Sequence, residues 1–230
     1  MSHYAVHSPF QTDRRFEENY KDSTKSRPAK SFATLIEGID KSLGDLMDHV
    51  TDKGVAENTL ILFVGDNGSD APLGDNYGYY SSAPLRGKKG TCYEGGLRVP
   101  FIASWAQRGD QNKFPIARNH LHTKQIGTVM DIYSTILDAS GAKNPQKHVI
   151  DGVSLRKQLS GKVNQNRLDH FMCHFPHSHR SSYFTSYRRG NWKLIYRYLT
   201  EGGKSKSKNP LPQHELYNLK NDPYETKNLA

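Results

Sequence analysis

The 230-residue sequence predicts an α/β fold: a sheet-and-helix domain over residues 1–160 and a small antiparallel sheet subdomain over residues 161–230. Three observations carry this. Apolar residues recur at helical spacing between Phe32 and Val50, and that stretch leads into the apolar run Leu60–Val64, which has the length and composition of a buried strand. A second apolar run, Leu97–Trp105, follows a long polar loop, so two buried strands flank it. Around Trp192, Leu194 and Tyr196 the pattern becomes β-rich and partly alternating. The helix–turn–strand order of the first part implies a parallel sheet.

Taken in order, Met1–His7 reads as the last part of a strand running into Ser8-Pro9-Phe10. It has neither the basic start nor the long apolar stretch of a signal peptide, so the chain is expected to begin inside a fold. Residues 11–31 are polar and aperiodic. They predict a surface loop of the kind that carries substrate contacts, with its arginines and lysines read as solvated charge. Phe32, Leu35, Ile36, Ile39, Leu43, Leu46, Met47 and Val50 then form the stripe of an amphipathic helix, capped by Ser31 and closed before Gly54. After the second strand and a polar loop at 107–123, Ile126, Val129, Met130, Tyr133, Ile136 and Leu137 predict a second helix ending at Gly141. Asp151–Leu155 reads as a turn into a short helix. Residues 202–212 read as a hairpin loop or flexible tip before a last strand at Glu215–Leu219.

Composition narrows the function classes. Mean hydropathy is −0.78, and no apolar run approaches the ~18 residues of a membrane-spanning helix. The formal charge of +9 favours anionic partners. Nucleic acid is the rival partner, but no helix-turn-helix, zinc-finger or RNP signature accompanies the charge, so nucleic acid is not expected. The two cysteines, Cys92 and Cys173, are too few for a disulfide scaffold and sit in no metal-ligand pattern. Each reads as a small semi-buried residue. The oligomeric state has no sequence signal.

The chemistry concentrates between the two apolar runs. The first run stops at Gly65-Asp66-Asn67-Gly68. Asp66 and Asn67 offer hard oxygen donors, which suit Ca²⁺ or Mg²⁺ rather than zinc. The same residues are also ordinary turn formers. Arg86-Gly87-Lys88-Lys89-Gly90-Thr91 adds compact positive charge able to clamp a tetrahedral anion. A divalent cation with a lysine points to phosphoryl or sulfuryl transfer. Asn67-Gly68-Ser69 fits a glycosylation sequon but is incompatible with metal binding at Asn67, and Gly87-Lys88-Lys89 lacks the spacing of a P-loop. Tyr77, Tyr79 and Tyr80 suit either sugar stacking or loop packing. His170, His174, His177 and His179 cluster around Cys173, which suits either a zinc site or the rim of a binding site.

Several motifs in this order carry a family resemblance. Asn58-Thr59-Leu60 into Gly65-Asp66-Asn67-Gly68, then Leu85-Arg86-Gly87-Lys88-Lys89-Gly90-Thr91, then Glu94-Gly95-Gly96-Leu97-Arg98-Val99-Pro100-Phe101, resemble the sulfatases of the alkaline-phosphatase superfamily. Glu215–Leu219, Asn221–Glu225 and Asn228-Leu229 resemble the terminal strand and tail of that family. The resemblance implies the C-terminal part of an alkaline-phosphatase-like α/β sheet domain plus the small antiparallel subdomain, and the activity of a sulfuric ester hydrolase on sulfated carbohydrate or another sulfate ester. A phosphatase or phosphonate hydrolase of the same superfamily, or a non-catalytic sulfoglycan-binding remnant, is the alternative. The resemblance assigns Asp66 and Asn67 as ligands of Ca²⁺, with Mg²⁺ the other candidate, and Lys89, directly before Gly90-Thr91, as the sulfate contact. It assigns His7, before Ser8-Pro9-Phe10, a contact to the sulfate ester and a part in catalysis. His174 and His177 are candidates for substrate binding, whereas Asp131 and Asp151 read as structural. Sulfatases also carry a formylglycine nucleophile in a C-x-P-x-R or S-x-P-x-R motif, and neither precedes the Asp66–Asn67 strand in this sequence. The formylglycine is expected in sequence upstream, and the chain alone is expected to be inactive. A periplasmic, secreted or lysosomal location follows from the resemblance alone.

Overall fold

The computed structural model describes residues 1–73, 81–145, 148–177, 183–198 and 212–230. Tyr77, Tyr79, Tyr80, His179 and most of the 202–212 tip lie outside the described residues. The elements run α1 (Arg27–Asp52), β1 (Leu60–Val64), α2 (Glu94–Leu97), β2 (Phe101–Trp105), α3 (Asp131–Ser140), α4 (Arg156–Leu159), β3 (His170–Phe175), β4 (Phe184–Arg189), β5 (Trp192–Arg197) and β6 (His214–Asn218).

The first helix is longer than its apolar stripe. Ser26, not Ser31, caps α1: its side chain accepts from the N–H of Ala29, and Pro28 occupies the first turn, where a missing N–H costs nothing. Ser31 instead lies buried inside the helix and hydrogen-bonds Thr12 at 2.7 Å, tying the 11–31 loop down. Much of the stripe stays at the surface, and Ile36 is half exposed. Residues 1–10 form turns rather than a strand. Their backbone bonds locally, His7 N–H to Tyr4 O at 2.9 Å, and no strand among the described residues pairs with them.

β1 and β2 pair antiparallel, Leu60 opposite Trp105 and Val64 opposite Phe101. This corrects the parallel sheet implied by the helix–strand order. The chain doubles back through residues 65–100, whose ends are clasped by Gly65 N–H to Pro100 O and Gly68 N–H to Gly96 O, each at 3.0 Å. An antiparallel partner therefore needs no helical crossover. α3 starts at Asp131, later than its stripe, and ends where Gly141 takes φ +70°, the left-handed cap that glycine accepts.

β3–β4–β5–β6 form a four-stranded antiparallel meander. Gly190-Asn191 joins β4 to β5, and glycine with φ +54° at the first loop position suits the twist of a two-residue hairpin. His170 and His174 of the His-rich segment lie on strand β3, and His177 follows its end. Phe171, Cys173 and Phe175 alternate inward while His170 and His174 point to solvent. The core packs Phe184, Ile195 and Tyr217 of this sheet against Cys92 and Tyr93. The loop between β1 and β2 is thus anchored on the C-terminal sheet.

Candidate functional site

The site is built on that anchored loop. Lys88-Lys89-Gly90-Thr91 is a β-turn: the Thr91 N–H reaches Lys88 O at 3.0 Å, and Gly90 has φ +84°. A positive φ at the third position is the type II requirement that glycine meets without strain. Lys89 sits at the second position, the outer corner. The Thr91 hydroxyl donates to Lys88 O at 2.9 Å, bracing the turn.

This turn lies against the end of β1. Lys89 N–H donates to Ser69 O at 3.0 Å, two residues beyond Asn67. A Cβ built on Gly68 would stand 2.1 Å from the Gly95 carbonyl oxygen, so only glycine allows that approach. The Asp66–Asn67 pair and Lys89, separated by more than twenty residues of chain, are therefore brought to one place. Lys88 is turned aside, its ammonium 3.9 Å from Asp70. Lys89 makes no ion pair among the described residues.

Asp66 is exposed, with no hydrogen bond or ion pair among the described residues. The Asn67 amide nitrogen donates to Gly68 O at 3.1 Å, which orients the amide and leaves its oxygen as the available donor. One carboxylate and one amide oxygen are the right kind of donors for a hard cation. They are part of a shell only: no group of three or more His, Cys, Asp or Glu side chains converges as a metal site among the described residues. The same finding gives the zinc reading of the His cluster no support there.

His7 is exposed at the N-terminal turns. Its Nδ1 lies 2.6 Å from Ser8 O. A carbonyl only accepts, so Nδ1 carries the hydrogen and Nε2 is the free ring position. No contact among the described residues joins His7 to the Lys89 turn. His174 and His177 stand on the other side of the chain's organisation, at the end of β3: His174 Nδ1 bonds Thr185 Oγ1 at 2.8 Å, and His177 packs edge-on to Phe175. Neither touches the loop site among the described residues.

What holds the Lys89 turn is a buried charge network that the sequence did not reveal. Lys193 Nζ lies 2.9 Å from Glu94 and 2.8 Å from Glu225. Glu225 accepts the N–H of Glu94, at the start of α2, at 2.7 Å, and its carbonyl accepts Arg86 at 2.7 Å. The Arg86 carbonyl in turn accepts the Gly95 N–H at 2.7 Å. Beside it, Glu215 binds Arg197, Tyr93 and Tyr217, and Arg86 stacks 3.8 Å over the Tyr93 ring. Burial raises the Glu225 carboxyl against the opposing pull of Lys193. Burial also pushes the Tyr93 hydroxyl to about 12 and the Cys92 thiol to about 11, which leaves Cys92 a neutral packing residue. Partners as far apart as Glu94 and Glu225 carry no periodicity or motif that sequence reading can join.

The chain is similar to known proteins along its whole length. The family described as sulfatase matches residues 1–142, and the family described as N-sulphoglucosamine sulphohydrolase, C-terminal, matches residues 87–230. A sulfatase of Formosa agariphila is 31% identical over 98% of this chain and 40% of its own length. The N-acetylgalactosamine-6-sulfatase of Canis lupus familiaris is 32% identical over 68% of this chain and 27% of its own. The crystal structure of Ps i-CgsB superposes with a TM-score of 0.69 at 22% identity, covering 99% of this chain and 44% of that one. The chain thus spans less than half the length of these relatives. The Lys89 turn lies inside residues 87–142, which both family matches share, and Asp66 and Asn67 lie inside the first; matched over more than half of its length, the chain belongs to the sulfatase family and has its alkaline-phosphatase-like fold.

Proposed function

We propose that this chain forms the sulfate-holding part of a sulfuric ester hydrolase acting on sulfated carbohydrate. The observation that carries the reading is the backbone clasp setting the Lys89 turn beside Asp66 and Asn67. Lys89, whose ammonium makes no ion pair among the described residues, is offered to an anionic tetrahedral group and stabilises the charge that grows on its oxygens. His7, with Nδ1 fixed on Ser8 O, offers Nε2; protonated there, it donates to the ester oxygen as the alcohol leaves. Asp66 and Asn67 would hold one side of a calcium ion, with Mg²⁺ the other candidate, and that ion would polarise the sulfate oxygens. A formylglycine would be the nucleophile.

The sugar class is supported by the names of the relatives and by the +9 charge. His174 and His177, exposed at the end of β3, are the proposed contacts for the sugar. No helix among the described residues is long and apolar enough to cross a membrane. A periplasmic, secreted or lysosomal location is the proposal, checked by fractionating cells that express the tagged protein.

The test pairs binding with turnover. In calcium buffer the chain binds a monosulfated disaccharide, and Lys89→Ala weakens it. On 4-methylumbelliferyl sulfate the chain alone shows no turnover, and no phosphate ester is hydrolysed in its place. Binding without dependence on Lys89 defeats the reading. One second reading, a sulfoglycan-binding protein without catalysis, is favoured because the S-x-P-x-R match in the chain, Ser82-Ala83-Pro84-Leu85-Arg86, is used in packing: the Ser82 hydroxyl donates to Gly95 O at 2.8 Å and Arg86 donates to Glu225 O at 2.7 Å. Sulfate release by a version extended with such a motif decides against it.

A further inference from the structure

A cleft of about 690 Å³ opens between the 10–17 segment and the first turns of α1. None of its lining residues comes from the Gly65–Gly96 loop. Exposed Arg14, Arg27 and Glu17 line it together with Phe10, the half-buried Thr12 and the buried Ser31, which form its floor. The floor is fixed: Thr12 and Ser31 hydrogen-bond each other at 2.7 Å, and Asp13 N–H donates to Thr34 Oγ1 at 3.0 Å. Several arginines of this chain are paired with carboxylates. Arg15 is bound to Asp13, Arg156 to Asp138 and Arg167 to Asp131. Arg14 and Arg27 make no ion pair or hydrogen bond among the described residues, although Glu17 shares their cleft.

Two exposed guanidiniums that line one concavity and have no carboxylate partner among the described residues attract an anion, and their planar forks suit carboxylate or sulfate oxygens. The cleft is also near His7 by chain geometry. Phe10 follows His7 by three residues, which span at most ~11 Å even when fully extended. We infer that this cleft is a second anion subsite, so that the protein selects saccharides bearing a further acidic group, carboxylate or sulfate, close to the sulfate ester at His7. This rests on the sulfatase reading for the first sulfate only. Phe10 offers a flat apolar wall to the ring that carries the second group. Glu17 lowers the affinity and sets a limit on how much charge is accepted.

The experiment is a calorimetric titration of the 230-residue chain with three neutral-backbone or acidic probes: a monosulfated disaccharide, the same disaccharide with two sulfates, and a monosulfated disaccharide containing a uronate. The wild type prefers one or both doubly anionic probes. Exposed guanidinium–anion contacts are each a few-fold effect, so Arg14→Ala with Arg27→Ala removes roughly a tenfold preference while leaving the monosulfated probe unchanged. Glu17→Gln increases the preference, and raising the salt concentration erodes it. Which probe loses affinity identifies the second anion as sulfate or carboxylate. Equal binding of all three probes to the wild type, or an unchanged preference in the double variant, overturns the inference. His7→Ala and Lys89→Ala weaken all three probes alike; if they do not, the first-sulfate reading fails, and the arginine-dependent preference is still read separately.

Discussion

Replacing Lys193 by methionine tests whether the buried charge network holds the site. Lys193 is 1% exposed and is the cation shared by Glu94 and Glu225, whose side chains are 7% and 0% exposed. Methionine keeps the length of the stem and removes the charge. Two carboxylates are then left inside the protein without their ammonium, although Glu225 keeps the Glu94 N–H and Glu94 keeps Arg188 at 3.4 Å. Removing one partner of a buried ion pair costs about 3–5 kcal/mol. Against a total stability of ~5–15 kcal/mol for a domain, that is a large share. The assay is urea unfolding followed by tryptophan fluorescence, with linear extrapolation at several pH values. The sign with pH is fixed by Glu225. Its carboxyl is already raised by burial, and losing Lys193 raises it further. A raised carboxyl is penalised when ionised, so the deficit is full near pH 7 and shrinks as pH falls toward its ordinary value of ~4.3. Adding Glu225→Gln to the methionine variant restores part of the stability, because the amide oxygen still accepts the Glu94 N–H. A deficit below ~1 kcal/mol, or one that does not change with pH, refutes the reasoning.

Three further outcomes follow from other parts of the structure. Asp131 is buried, which raises its carboxyl, but Arg167 at 2.7 and 2.9 Å and the N–H groups of Val153 and Thr128 bring the net below the usual range. Its contribution is therefore complete above the ordinary carboxylate value of ~3.9 and is lost as pH falls through the depressed one; Arg167→Ala removes about 3–5 kcal/mol at pH 7 in the same unfolding assay. Iodoacetamide at pH 8 labels the half-buried Cys173 well before the buried Cys92, whose thiol sits at about 11, and peptide mass analysis shows equal labelling only if the loop anchor is wrong. Gly68→Ala places a methyl 2.1 Å from Gly95 O, so the clasp must open and sulfate affinity falls with it; unchanged affinity contradicts the clasp.

The elements legible in the sequence are those whose burial follows a local period. β1, α1 and β5 were marked by apolar spacing, and the Lys88–Thr91 turn by its glycine. Other features depend on distant partners. β3 was obscured because two of its three outward positions are histidines, although Phe171, Cys173 and Phe175 keep the alternation. The stripe of α1 was legible as a helix but not as a core, since Ile36, like Phe63 of β1 and Ile102 of β2, stays exposed. At the site, Asp66, Asn67 and Lys89 were found because turn chemistry and donor type are written into short motifs. The arginines of the N-terminal cleft were read as solvated charge, because a cleft forms only when residues 10–17 fold onto α1. Glu94, Lys193 and Glu225 lie on α2, β5 and the tail, and only the packed sheet brings them together.

The central claim is that the Lys89 turn holds a sulfate ester beside the Asp66–Asn67 pair. Its most direct test is a calorimetric titration of a monosulfated disaccharide, in calcium buffer, into the chain and into its Lys89→Ala variant. A hydrogen bond to a charged group contributes ~1.5–3 kcal/mol, so the account predicts binding to the wild type and a loss of at least about tenfold in the variant. Equal affinity of the two proteins, or no binding to either, contradicts it.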